Sequence, residues 1–148
     1  MDTSAFLEHL ENSPAYQGQI VHSEHIYSRK ARYGKLEKKL NPSLQTALET
    51  LCLTPLYKHQ TMAIDASLAG RNTIVSTPSA SGKTLCYNLP VLNSLLTQKD
   101  SRALYLFPTK ALAQDQLKTL DELIAAAAVK IKKATFDGDT PSNQRAQI

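Results

Sequence analysis

The apolar positions of this chain recur with two periods, and the change from one to the other lays out its elements. Phe6, Leu7 and Leu10 make a short helical stripe that ends at the turn signal Asn12-Ser13-Pro14. Residues 15–40 follow no clean period and read as an extended arm. From Asn41-Pro42-Ser43 the helical period returns, with Leu44, Leu48 and Leu51 on one face, and Thr54-Pro55 stops it. A further helix fits Tyr57 to Ala69, with Gly70 where a left-handed residue is wanted.

Beyond Gly70 the pattern shortens. Asn72 to Thr77, with β-branched Thr73, Ile74 and Val75, predicts a buried strand. Leu85, Leu89, Leu92 and Leu96 then mark one face of a helix beginning near Lys83, with Pro90 expected to kink it. RALYLF at Arg102 to Phe107 is a second near-continuous apolar strand, of the sort buried on both faces of a parallel sheet. Ala113, Leu117, Leu120, Ile124 and Ala127 define another helix, and Lys133 to Phe136 a third strand. This alternation predicts an α/β fold with right-handed crossovers and a parallel sheet flanked by helices. Three strands make a thin sheet, so the expectation is a part of something longer: residues 1–40 an N-terminal arm with a basic segment, residues 41–148 the start of the α/β domain.

Composition narrows the function classes. The longest apolar run, Ile124 to Val129, is far short of the roughly 20 residues a membrane span needs, and the N-terminus has no signal-peptide pattern. The expected setting is cytoplasmic, without a membrane partner. Cys52 and Cys86 stand in no redox or zinc spacing, and Cys86 reads as a small core residue. His22 and His25 have an i, i+3 spacing but no cysteine company, and a metal site is not expected there. The net charge of +4 is unevenly placed: Arg29, Lys30, Arg32, Lys35, Lys38 and Lys39 face only Glu24 and Glu37 in residues 21–40. Interleaved with Tyr27 and Tyr33, this run fits a phosphate backbone or a merely solvated surface.

The chemistry centres on TPSASGKT, Thr77 to Thr84. A phosphate-binding loop reads G-x-x-x-x-G-K-[ST], and here Thr77 replaces the first glycine. Such a loop wraps closely round phosphates so that backbone N–H groups and a helix N-terminus face negative charge. Gly82 allows the close approach, Lys83 is placed to reach the β- and γ-phosphates, and the Thr84 hydroxyl to coordinate Mg2+. Pro78, Ser79, Ala80 and Ser81 supply the rest of the cradle. Thr77 closes the preceding strand, where a side chain is tolerated if φ stays negative. The setting between a strand and an amphipathic helix is the one the motif requires.

Several segments in order also resemble a known family. LYKHQ at Leu56 to Gln60, GRNTIVSTPSASGKTLCYNLPVL at Gly70 to Leu92, LYLFPTKALAQDQ at Leu104 to Gln116 and FDGDTP at Phe136 to Pro141 resemble the start of a superfamily-two DEAD/DEAH-box helicase. Within it the likeness is to the bacterial MrfA-type (YprA-type) helicases, which carry a C-terminal zinc-binding domain. The resemblance implies a RecA-like lobe binding ATP and Mg2+, with a non-glycine residue common at the Thr77 position. It implies that Gln60 reads the adenine edge and that Tyr57 stacks near the base. Pro108, Thr109 and Lys110, and the loop Gly138-Asp139-Thr140, then match segments that contact a nucleic-acid backbone, with DNA, single-stranded or duplex, as the implied partner. Each keeps a structural alternative: Gln60 and Lys110 as surface residues, His59 as structural, Asp137 and Asp139 as turn caps.

Hydrolysis in this family needs a Walker B Asp-Glu pair and arginines from a second lobe. The chain's only Asp-Glu, Asp121-Glu122, falls in a predicted helix and is followed by Leu123 and Ile124. The expectation is therefore double: an ATP-dependent DNA helicase or translocase as the intact parent, possible DNA repair included, and little or no turnover by these 148 residues alone. The alternatives are a truncated, non-catalytic nucleotide- or DNA-binding module and an unstable remnant. A small kinase would leave LYKHQ and PTKALAQDQ without a role.

Overall fold

Six helices follow one another in the computed structural model, which describes residues 2–27 and 30–146. The chain divides into two units, Met1–Lys30 and Ala31–Ile148. In the first, α1 (Thr3–Glu11) starts where the Asp2 carboxylate accepts the N–H groups of Ser4 and Ala5, at 3.0 and 3.3 Å. None of its residues is buried. Of the basic run, Arg29 lies outside the described residues, and Lys30, Arg32, Lys35, Lys38 and Lys39 are exposed.

The second unit carries the core. Residues 31–40, expected as part of a free arm, are tied to the segment before α3 (Lys58–Leu68): Gly34 donates to the Leu56 carbonyl at 3.0 Å, and Lys58 to that of Arg32 at 2.7 Å. The approach needs a glycine, since a Cβ at Gly34 would sit 2.3 Å from Thr61 Oγ1. α2 (Pro42–Thr50) begins at an Asn41 cap with Pro42 in its first turn, and buries Leu44, Ala47 and Leu48. α3 ends as the sequence indicates, with Gly70 at φ +74° and Arg71 bonded back to Ala66. α4 (Lys83–Thr97) continues through a buried Pro90, and α5 (Lys110–Ala126) is capped by the Thr109 hydroxyl. α6 (Ser142–Arg145) is a single turn.

α3 packs on α4, and α2 on both α4 and α5. The periodic leucines meet at these contacts: Leu44, Ile64, Leu89 and Leu92 are fully buried, joined by Leu40, Leu48, Leu56, Leu123 and Ile124.

The sheet is where the structure departs from the sequence reading. Among the described residues the segments expected as strands run singly, without a ladder. Val75, Thr77, Tyr105 and Phe107 are half-buried while their neighbours are not, and Ile74, Leu104 and Leu106 are 97%, 84% and 83% exposed. The alternation of a strand is present, but cover on both faces is not. Parallel pairing is stable when helices bury each side, and here each segment keeps one open side. Among the described residues the expected parallel sheet is thus not formed, and the expected strands are extended connections between helices.

Candidate functional site

The loop between Thr77 and α4 turns tightly and closes on itself. Ala80 and Gly82 both take left-handed backbone angles, φ +57° and +75°, so the chain reverses tightly before the helix begins. Thr77, in place of the first glycine, earns its hydroxyl a role: its Oγ1 lies 2.6 Å from Ser81 Oγ and closes the loop on itself. Lys83, the first residue of α4, folds its ammonium back into the loop and donates to the carbonyls of Thr77 and Pro78 at 2.8 and 2.7 Å. Ser79 and Ala80, at the tip, are exposed. In this arrangement the lysine is satisfied by the loop itself.

Two neighbours from α3 hold the loop from outside. Gln60 is 3% exposed and uses both ends of its amide: Oε1 accepts from the Tyr57 N–H at 2.8 Å, and Nε2 donates to the Gly82 carbonyl at 3.0 Å. His59 Nε2 lies 3.0 Å from the Ser81 carbonyl. A carbonyl only accepts, so this nitrogen carries the proton. Tyr33, Tyr57 and His59 form a continuous ring stack, with centroids 5.4 and 5.8 Å apart and planes 12° from parallel. Arg32, Tyr57, Lys58, His59 and Met62 line an open cleft of about 410 Å³ beside it.

Thr84 is bonded to α5. Its hydroxyl donates to Gln116 Oε1 on α5 at 3.2 Å, and the Tyr87 hydroxyl donates to the same oxygen at 2.5 Å. Cys86, buried in the same helix, has its thiol pushed up in pKa by that burial. Tyr105, bonded through its hydroxyl to Asn88 at 3.0 Å, is pushed up to about 12 by burial and by nearby Tyr87.

The start of α5 and the 137–140 loop meet at one ion pair, Lys110 Nζ to Asp139 Oδ2 at 2.5 Å, with both groups exposed. The bond to Asp139 raises the Lys110 pKa. Thr109 spends its hydroxyl as the α5 cap, accepting from the Leu112 N–H, and Pro108 is exposed beside it. Thr140 is buried and its hydroxyl is engaged inside the loop, with Asp137 and the Thr135 carbonyl. The Asp139 N–H on the Asp137 carboxylate holds that acid below its usual range. Arg145 clasps the loop from α6, donating to the carbonyls of Thr140 and Asp137 at 2.8 Å each, over the Phe136 ring at 5.1 Å. Gly138 is open towards the Lys110 ammonium.

The same order of segments is found in known proteins. Residues 57–148 match the model of the DEAD/DEAH box helicase family. The chain belongs to that family. It is 42% identical over 129 residues to the uncharacterized ATP-dependent helicase YprA of Bacillus subtilis, covering 87% of this chain and 17% of that protein. It is also 42% identical over 147 residues to the ATP-dependent helicase hrq1 of Schizosaccharomyces pombe, covering 96% of this chain and 14% of the relative. The fold is similar to that of the DUF1998 helicase MrfA, solved with DNA and AMPPNP, at a TM-score of 0.78 and 43% identity over 82% of this chain and 17% of that one. The chain thus spans about a sixth of the length of these helicases.

Some residues gained a place in the site that the sequence reading of this helicase segment did not give them. His59 and Tyr33 join Tyr57 in the ring stack: His59 lies inside LYKHQ, whereas Tyr33, in the basic run well before it, gave no sign of this place. Gln116 closes LAQDQ, and Arg145 follows FDGDTP by four residues. Gln116 and Arg145 lie within or beside a recognisable segment; the partner of Gln116 is distant in sequence, while Arg145 bonds to the loop just before it.

Proposed function

We propose that residues 41–148, with residues 31–40 packed onto them, are the ATP-binding part of the first RecA-like lobe of an ATP-dependent DNA helicase or translocase, and that the residues before them are an arm. The observation that carries this reading is the closed loop at Thr77 to Thr84 in a DEAD/DEAH family chain, with the Lys83 ammonium held by two loop carbonyls. A triphosphate would draw Lys83 from those carbonyls and be met by the N–H groups at the start of α4. The cleft beside Tyr57 has the size and the aromatic wall for a base, and Gln60 stands between it and the loop.

Mg2+ fits the same site in a limited way. Among the described residues no group of three or more His, Cys, Asp or Glu converges. The cation would take the Thr84 hydroxyl from this chain, and phosphate oxygens and waters for the rest, the way magnesium is usually held beside nucleotides. When bound, it neutralises charge developing on the phosphates.

Nucleic acid is assigned to Pro108, Thr109, Lys110 and the Gly138-Asp139-Thr140 loop. Lys110 is the exposed cation there, and a phosphate would replace Asp139 as its partner. MrfA, solved with DNA, supports DNA as the polymer. Among the described residues no helix is long and apolar enough to cross a membrane, which is compatible with a cytoplasmic setting.

The experiment is DNA-stimulated ATP hydrolysis and nucleotide binding by the intact protein, unmodified and as Lys83→Ala. Loss of both in the variant is expected; unchanged ATP affinity would overturn the reading. A binding module without turnover is the second reading, favoured by one feature: Asp121, of the only Asp-Glu pair, lies within α5 and is paired with Lys133. DNA-stimulated turnover by residues 1–148 alone would exclude that module.

A further inference from the structure

We infer that Gln116 is a positioning residue for Thr84, fixing the direction of its proton so that its lone pairs face the nucleotide's cation. This rests on the reading of Thr77 to Thr84 as a nucleotide site. A threonine hydroxyl has one proton and two acceptor lone pairs. To ligate a cation it must turn a lone pair towards it, so the proton needs an acceptor elsewhere. Gln116 Oε1 is that acceptor, 3.2 Å away on a different helix.

The acceptor is itself held. Its second lone pair takes the Tyr87 hydroxyl at 2.5 Å, so both donors converge on one carbonyl oxygen. Tyr87 stands one turn beyond Thr84 on α4, its hydroxyl 3.5 Å from that of Thr84. Its ring meets the Tyr105 ring edge-on at 5.9 Å, and Tyr105 is anchored in turn by its hydroxyl on buried Asn88. Thr84, Tyr87 and Gln116 are all half-buried, which limits the water that would otherwise compete for these bonds. The arrangement has the form of an outer partner orienting a metal ligand.

It also joins two parts of the site. Gln116 lies less than two turns along the helix that opens with Lys110 and is capped by Thr109. A shift of α5 on its nucleic-acid side therefore moves the acceptor of the Thr84 proton.

The test is a Mg2+ titration of fluorescent ATP-analogue binding by the intact protein, with a parallel measurement in EDTA. Gln116→Ala is expected to raise the Mg2+ concentration at half-saturation on the order of tenfold, while the affinity measured in EDTA stays the same. Gln116→Glu keeps an acceptor oxygen at this position and is expected to restore most of the loss. Tyr87→Phe, a smaller change that leaves the ring in place, is expected to shift the midpoint in the same direction by less. An unmoved midpoint in Gln116→Ala, an equal loss in EDTA, or a Glu variant no better than Ala would overturn the inference. Absence of any Mg2+-dependent binding by the unmodified protein would overturn the nucleotide reading itself, and shows before any variant is made.

Discussion

Replacing Gly82 by alanine tests how the loop is held, because two separate costs meet at one atom. The residue sits at φ +75°, ψ 30°, a left-handed conformation that costs a side-chain-bearing residue roughly 1–2 kcal/mol. The new Cβ would also lie 2.5 Å from Gln60 Nε2. Gln60 must then withdraw from the Gly82 carbonyl and, being buried, leave an amide without a partner, at about 1–3 kcal/mol. Together these come to about 2–5 kcal/mol of local stability. The assay is amide hydrogen exchange at Leu85, whose N–H donates to the Gly82 carbonyl, in the intact protein, where each 1.4 kcal/mol is about a tenfold change in protection. Repeating Gly82→Ala in a Gln60→Ala background removes the clash and leaves the backbone cost alone, so the effect should fall to about 1–2 kcal/mol. A loss below about 0.5 kcal/mol, or the same loss in both backgrounds, would refute the account of Gln60 as the clamp of this loop.

Three further outcomes are expected. Gly34→Ala should loosen residues 31–40 from α3 by about 1–3 kcal/mol, since its Cβ would meet Thr61 Oγ1 at 2.3 Å, and exchange of the Lys58 and Gly34 amides reads this directly. Lys110→Ala should lower the slope of log affinity for DNA against log salt by about 0.9 on duplex or 0.7 on single strands, and Asp139→Asn, which frees the lysine, should tighten binding; an unchanged slope would remove Lys110 from the interface. Cys86 should alkylate more slowly than exposed Cys52 and reach its thiolate only above the ordinary 9.0, because burial favours the neutral thiol. By the same linkage, its contribution to stability is present below that value and fades as pH rises through the raised one, which peptide-resolved labelling across pH would follow.

The sequence by itself determined the helices and the address of the nucleotide loop. A helix closes its hydrogen bonds within four residues, so the stripes Leu44, Leu48 and Leu85, Leu89, Leu92 suffice to place α2 and α4, Asn41-Pro42 to start α2, and Gly70 to end α3. Thr77 to Thr84 is legible for the same reason, since the loop and the turn of helix that complete it are contiguous. Strands lack that locality. Ile74, Leu104 and Leu106 have the right composition, but a ladder needs a neighbour and cover from elsewhere in space, and tertiary structure left those side chains open. The partners inside the site were likewise settled by packing: His59 and Gln60 with a loop 22 residues on, Lys110 with Asp139 at 29, Thr84 with Gln116 at 32. Residue types announce which bonds a side chain can make, and only the burial of α2, α3, α4 and α5 against one another decides which of those bonds come within reach.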